Sequence, residues 1–262
     1  HLITTHFHSD HFGALLPVVQ KIPVKHFYDK GEPGPEQEQR SEWFRTLYPL
    51  YQQATEGRAR TLRPGDVIPL QDQQIELRVV AAEKRVLGFS GDIDAAAPGF
   101  KPAPPDHSDN GRSIALLLTW GDFRCFLGGD ITYNVEHHLV SPVNQLGQVD
   151  LYQVTHHGLD MSNHPELIRA IRPVVAVVMN GPQKGPGPRT FAALQSQASL
   201  QALYQLHFNT QYGEQGNAPR AAIANPTGQE SGNYVRVTVD AGAKVMAVQI
   251  GARGASVRHP FN

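Results

Sequence analysis

His6-Phe7-His8-Ser9-Asp10-His11 packs three imidazoles and one carboxylate into six residues, directly after the apolar, β-branched run Leu2-Ile3-Thr4-Thr5. A strand ending at His6 sends His6 and His8 to the same face by its period of two, and the turn that follows can bring Asp10 and His11 to a neighbouring point. Neutral imidazole and carboxylate suit zinc and related first-row divalent ions, so one short loop could supply two adjacent metals. A surface loop that is histidine-rich by chance is the bland alternative. Against it stand two further strand-end blocks downstream: Phe126-Leu127-Gly128-Gly129-Asp130, and Val149-Asp150-Leu151-Tyr152-Gln153-Val154-Thr155-His156-His157-Gly158.

The pattern His-x-His-x-Asp-His followed by Phe12-Gly13 resembles the signature of the metallo-β-lactamase-fold superfamily, and the Gly-Gly-Asp turn resembles that family's bridging-aspartate motif. His156-His157-Gly158, with Asn110-Gly111-Arg112-Ser113 ahead of the Gly-Asp strand, is similar to the branch related to the hydrolase domain of the DNA-uptake protein ComEC. The resemblance spans roughly residues 1 to 190. It implies an α/β fold, the αββα sandwich, in a single domain over 1–262 whose first strands would precede His1. It also implies a dinuclear metallohydrolase holding two divalent ions, zinc above all, with manganese or iron as alternatives.

On this reading His6 and His8 hold one metal, Asp10 and His11 the second, and Asp130 reaches both. His156 closes the second site, with His157 next in line, because strand phase decides which of two adjacent histidines faces the metal. The third ligand of the first site is the departure from the family pattern. Many members place a histidine about twenty residues before the bridging aspartate, but that window here holds Asp109 and Asn110, with His107 slightly early. The order of expectation is Asn110 near the site, then Asp109 as ligand, then His107. Metal binding lowers the pKa of water from 15.7 to about 7, which would provide a hydroxide nucleophile oriented by Asp10 or Asp130.

Composition fits an enzyme domain: 262 residues, 40% hydrophobic and 18% charged, are enough to bury a core without disulfides. A net charge of -1 provides no global positive field, so nucleic acid remains conceivable as a partner only through a local basic patch. The lone Cys125 sits in an apolar strand and reads as a small buried hydrophobe. No apolar run approaches the ~18 residues of a membrane-spanning helix. Any targeting segment would lie upstream, so bacterial cytoplasm and periplasm stay equally open, as does the oligomeric state.

Along the chain, Phe12 to Gln20 reads as a helix, Val24 to Tyr28 as a strand with His26 a core or edge histidine, and Glu36 to Gln53 as an amphipathic helix carrying Pro49. Glu83 to Gly111 is rich in Gly, Pro and Asp, a long loop read as active-site rim. Ser113 to Trp120 and Phe123 to Leu127 form a hairpin across Gly121-Asp122. Thr132 to Val140 is predicted helical, with His137 and His138 facing the surface or a partner helix. Pro165 to Ile171 is a helix capped by Ser162 or Asn163, and Tyr234 to Asp240 with Lys244 to Ile250 is a C-terminal hairpin. Lys184 and Arg189 flank a Gly/Pro turn that opens a helix, where an anionic substrate could bind; solvated turn charges are the alternative.

Three functions follow. A phosphodiesterase or similar hydrolase of small anionic substrates leads, then a hydrolase of lactone, thioester or amide bonds, then a non-catalytic metal-binding module. In each case selectivity is expected from Glu83 to Asn110 and Lys184 to Arg189, because metal ligands fix reaction type and pocket walls choose the substrate.

Overall fold

The computed structural model describes residues 1–97, 99–227 and 232–261. A small parallel sheet, in the order β1-β2-β3, comprises β1 (Leu2–Ile3), β2 (Phe27–Asp29) and β3 (Arg60–Thr61). The large sheet contains β4 (Val67–Ile68), β5 (Ile75–Ala82), β6 (Arg85–Val86), β7 (Ala115–Trp120), β8 (Phe123–Leu127), β9 (Leu151–Val154), β10 (Val175–Val178), β11 (Ala202–His207) and β12 (Ile223–Asn225). Its order is β12-β11-β10-β9-β8-β7-β5-β4, with β6 paired to β5. A C-terminal antiparallel sheet joins β13 (Val235–Asp240), β14 (Val245–Ile250) and β15 (Ser256–Pro260).

The expected β7-β8 hairpin turns at Gly121-Asp122, and from β8 to β12 all pairings are parallel. Strands covered on both faces should carry apolar residues on each, and β8 does so apart from Arg124: Phe126 packs on one face, Phe123 and Cys125 on the other. The first face carries α5 (Tyr133–Val140), α6 (Pro165–Ile171) and α7 (Pro188–Gln195), which set Val135, Leu139, Leu167, Ile168, Ile171, Phe191 and Leu194 against Phe126, Tyr152, Val154, Ala176 and Val178. The opposite face is covered by the C-terminal sheet through Met246 and Val248, and beside β5 and β7 by Tyr28 and Leu62. Helices α1 (Ser9–Phe12), α2 (Leu15–Val19), α3 (Glu36–Gln39) and α4 (Glu42–Thr55) lie with the small sheet, where Phe7, Phe12, Phe44 and Tyr51 share an aromatic core. The layers are those of the mixed α/β sandwich that the sequence predicts. Cys125 is buried, and burial pushes its thiol up to about 12. Among the described residues no helix is long and apolar enough to cross a membrane.

Several boundaries differ from expectation, each for a local reason. The strand before the histidines ends at Ile3, so His6 and His8 lie on irregular chain and the period-of-two argument does not govern them. Ser9–Phe12 turns helical, and the helix predicted over Phe12 to Gln20 is really two short ones. The helix over Glu36 to Gln53 is also broken, at Arg40-Ser41, where Ser41 Oγ accepts the Phe44 amide and caps α4. The strand over Val24 to Tyr28 is confined to Phe27–Asp29, leaving His26 exposed and stacked on His1 at 4.9 Å. Helix α6 is capped by His164 instead of Ser162 or Asn163: its Nδ1 accepts the Glu166 amide at 3.0 Å. His137 is buried on α5 and bonds Glu166 of α6 at 2.8 Å, which makes it a partner-helix residue.

Candidate metal centre

The carboxyl ends of β8, β9 and β10 open toward the histidine-rich loop, the end of a parallel sheet where ligand sites form because the connecting loops diverge there. Beyond β8, Asp130 is almost fully buried and its amide is held by Ser113 Oγ at 3.3 Å. Gly129 permits the turn: its φ is +56°, and a Cβ would lie 2.9 Å from the Ile114 carbonyl. Past β9, His156 and His157 both adopt left-handed backbone, with φ of 51° and 56°. Such conformations are costly for non-glycine residues, and they cluster at functional sites.

Six side chains converge. Asp130 Oδ2 lies 3.1 Å from His11 Nε2, 3.4 Å from His157 Nε2, 3.6 Å from His156 Nε2 and 3.8 Å from His6 Nε2. Asp10 Oδ2 is 3.3 Å from His157 Nε2 and 3.7 Å from His11 Nε2. His6, His11 and Asp130 offer donor atoms within 4.8 Å of one another, and so do Asp10, His11 and His157. His6 Nε2, His11 Nε2 and His157 Nε2 are nevertheless buried without a hydrogen-bond partner. Orphaned lone pairs in a buried polar cluster are expensive unless something fills them, and an imidazole–carboxylate set of this kind fits divalent metal.

The outer nitrogens fix the tautomers. His157 Nδ1 lies 2.8 Å from the Met179 carbonyl, which can only accept, so Nδ1 keeps a proton and Nε2 is the nitrogen left to a metal, with a proton on it shared with the two carboxylates until one binds. His156 Nδ1 lies 3.0 Å from Ser162 Oγ, whose own proton goes to the Ile131 carbonyl at 2.8 Å. His156 therefore also donates from Nδ1 and keeps Nε2 free for the cluster. Electrostatics agree with a cation site. Burial pushes His6 well below its ordinary value and His156 down to about 4. Burial alone would also lower His157, but Asp10 and Asp130 outweigh it and raise that ring to about 9. The His157 contact and then Lys184 hold the Asp10 carboxyl far below the usual carboxylate range. Asp130 is held there too, burial notwithstanding, by His11 and His157.

The remaining expected residues are placed as follows. His8 belongs to neither convergent group, but its ring lies edge-on to that of His6 with centroids 4.7 Å apart, and its Nε2 is 3.2 Å from Glu38 Oε1. Asp109 is fully buried and turned to the scaffold: Oδ2 accepts the Phe7 amide at 2.7 Å and Oδ1 pairs with Lys30 Nζ at 2.9 Å. His107 is exposed on the rim, and neither it nor Asp109 joins a convergent group. Asn110 is buried with its side-chain oxygen unpartnered, and its amide bonds Ser108 Oγ at 3.2 Å. Lys184 Nζ reaches Asp10 Oδ2 at 2.7 Å, whereas Arg189 binds the Asp160 carbonyl at 2.7 Å, so the two cations do not share one pocket. A cavity of about 510 Å³ runs between Lys101 to His107 and Thr132, Tyr133, Asp160, Met161 and Arg189, and a smaller one of about 230 Å³ reaches Asp130, His156 and His157. Glu38, Ser162 and the Met179 carbonyl are the contributors that sequence reading missed. Ser162 alone carries a sequence signal, as a polar residue shortly after the paired histidines, but its place ahead of a helix points to a cap and not to the His156 ring.

Solved structures with similar folds include a metal-dependent hydrolase, described as putative, from Parabacteroides distasonis ATCC 8503, with 14% identity and a TM-score of 0.42 over 78% of this chain and 74% of that one. CmlA, a diiron β-hydroxylase from Streptomyces venezuelae, shows 14% identity and a TM-score of 0.43 over 78% of this chain and 43% of its own length. No curated protein matches the chain. Residues 1–181 match the family model described as the metallo-beta-lactamase superfamily, and they contain every strand-end donor described above, so the chain belongs to that superfamily.

Proposed function

We propose that the protein is a metal-dependent hydrolase with a dinuclear centre, acting on a phosphodiester or related small anionic substrate. The observation that carries this reading is the convergence of His6, His11, His156 and His157 on Asp10 and Asp130 with three ring nitrogens unpartnered. Divalent ions held there, zinc or alternatively manganese or iron, would supply a nucleophilic hydroxide near neutral pH and a Lewis acid for the scissile group.

The chain's own residues do the rest. Ser162 and the Met179 carbonyl hold the Nδ1 atoms of His156 and His157, so both rings keep Nε2 turned inward, where it would serve a metal. Asp130, buried and ionised, has Oδ2 within 3.1–3.8 Å of the Nε2 atoms of His6, His11, His156 and His157 and would be a shared ligand of the centre. Lys184, half-exposed beside Asp10, puts a cation at the lip of the centre, where a phosphoryl or carboxylate oxygen of the substrate would bind. The cavity of about 230 Å³ lined by His11, Asp130, His156 and His157 gives the reacting group of a small molecule access to the centre. The ComEC-like blocks His156-His157-Gly158 and Asn110-Gly111-Arg112-Ser113 favour the phosphodiester over lactone, thioester or amide substrates.

Assays of bis-p-nitrophenyl phosphate, a chromogenic β-lactam and a lactone, each with zinc, manganese and iron, test the proposal. Phosphodiester hydrolysis that disappears in Asp130→Ala is expected. Turnover of the lactam or lactone alone would move the assignment to carbonyl substrates, and silence on all three by metal-loaded protein would leave a binding module.

A further inference from the structure

Phe7, between the first two histidines, is held through both its backbone and its ring. Its amide donates to Asp109 Oδ2 at 2.7 Å, its ring lies 5.0 Å beneath Lys30 Nζ, and it is itself buried. Lys30 is fully buried and pairs with Asp109 Oδ1 at 2.9 Å and Glu83 Oε1 at 3.1 Å. The Asp109 amide in turn points at both oxygens of Glu38, at 3.3 and 3.2 Å, and Glu38 Oε1 meets His8 Nε2 at 3.2 Å. Gly34 makes the approach of these two carboxylates possible: a Cβ there would lie 2.9 Å from the Asp109 carboxyl and 2.9 Å from Glu38 Oε2. Buried charges survive only when paired and hydrogen-bonded, so this chain of contacts fixes a geometry.

We infer that Glu38 is a positioning residue for His8: its carboxylate accepts a hydrogen bond from Nε2–H and so leaves Nδ1 as the nitrogen offered to a metal, with Asp109 and Lys30 holding Glu38 and the Phe7 backbone in place. A carboxylate on the outer nitrogen of a metal-binding histidine fixes its tautomer and raises its basicity. The inference rests on the metal-centre reading above. It also explains why an aspartate occupies the stretch where a third histidine was expected: Asp109 braces the loop instead of binding the ion.

The test uses the full chain and its Glu38→Ala and Glu38→Gln variants, with folding checked by thermal melting. Long-range ¹H–¹⁵N spectra of the metal-free proteins report the His8 tautomer, while chelator competition and the visible spectrum with Co²⁺ report metal binding. Wild type should show His8 protonated at Nε2. Glu38→Ala should lose that single tautomer and bind Co²⁺ roughly 10–100-fold more weakly. Glu38→Gln, which keeps an accepting oxygen, should recover most of both. An Nδ1-protonated His8 in wild type, or Glu38→Ala indistinguishable from wild type, overturns the inference. Glu38→Gln as weak as Glu38→Ala with a changed Co²⁺ spectrum would make Glu38 a direct ligand and also overturn it. Should wild type bind no metal, the metal-centre reading fails, and the His8 tautomer still decides whether Glu38 holds the ring.

Discussion

Lys184 Nζ lies 2.7 Å from Asp10 Oδ2, which ties the Gly/Pro turn after β10 to the histidine-rich loop at the other end of the chain. Asp10 is also 3.3 Å from His157 Nε2, so a single carboxylate meets a candidate ligand and a candidate substrate-binding cation. Substrate charge and metal charge would thus be balanced on the same side chain.

From that geometry, Lys184→Ala should raise KM for an anionic substrate about tenfold while leaving metal content and kcat near wild type, the pattern of lost uniform binding. Arg189→Ala should do less, because Arg189 is mostly exposed and spends its guanidinium on Asp160. Steady-state kinetics with parallel elemental analysis separate the two. Loss of metal in Lys184→Ala would show that the lysine braces Asp10 and does not meet substrate.

Both His156 and His157 aim Nε2 at Asp130, so His156→Ala and His157→Ala should each weaken metal binding by more than the roughly 10–100-fold that losing an outer hydrogen-bond partner costs. Ser162→Ala should fall within that smaller range, because it frees the His156 ring without deleting it. Chelator competition gives all three values. Wild-type affinity in either histidine variant would remove that residue from the centre.

These outcomes also mark what was legible in the sequence. Asp130 could be found because it follows the apolar strand Phe123–Leu127 at its open end, and His6 and His11 because a dense His/Asp motif follows the apolar run at Leu2–Ile3, although the motif itself is irregular and then helical. The choice between His156 and His157 could not be made by strand phase, since both residues leave the strand for left-handed backbone and converge from a turn. Glu38 gave no signal: Glu36-Gln37-Glu38-Gln39 reads as a solvated helix face, and only the tertiary approach of Asp109 and His8 singles out one of its carboxylates. Asp109 was visible as an acid near the site, but its partner Lys30 is distant in sequence. A buried lysine beneath the loop is not a pattern that periodicity reveals.

Glu136 on α5 should impose a pH dependence on stability that is independent of the metal centre. It is fully buried, its Oε2 accepts the His164 amide at 2.7 Å, its Oε1 is unpartnered, and burial pushes its carboxyl from 4.5 up to about 7. Between those values the native state holds a proton that the unfolded chain has released, so the contribution is complete below pH 4.5 and is lost as pH rises through 7. Glu136→Gln, neutral throughout, should remove that slope, gaining on the order of 3 kcal/mol on wild type between acidic and mildly alkaline pH. Urea unfolding of both proteins from pH 5 to 8 measures it, and parallel stability curves would refute the buried-carboxyl account.

Gly185 offers the sharpest structural test of how Lys184 is delivered to Asp10. Its φ is +68°, and a Cβ there would lie 1.8 Å from the His157 carbonyl oxygen, a contact no small shift relieves. The Gly185 carbonyl is fastened by Asn180 Nδ2 at 2.9 Å and Asn209 Nδ2 at 2.8 Å, so the turn cannot swing away without breaking both bonds. Gly185→Ala should therefore lower stability by on the order of 3 kcal/mol and move Lys184 off Asp10. Kinetically it should reproduce the raised KM of Lys184→Ala, and adding Lys184→Ala to it should raise KM little further, because the second change removes a contact already lost. Thermal melting and the double-mutant cycle check both halves. Additive KM effects would mean that Gly185 acts on the His157 side of the centre and not through the lysine.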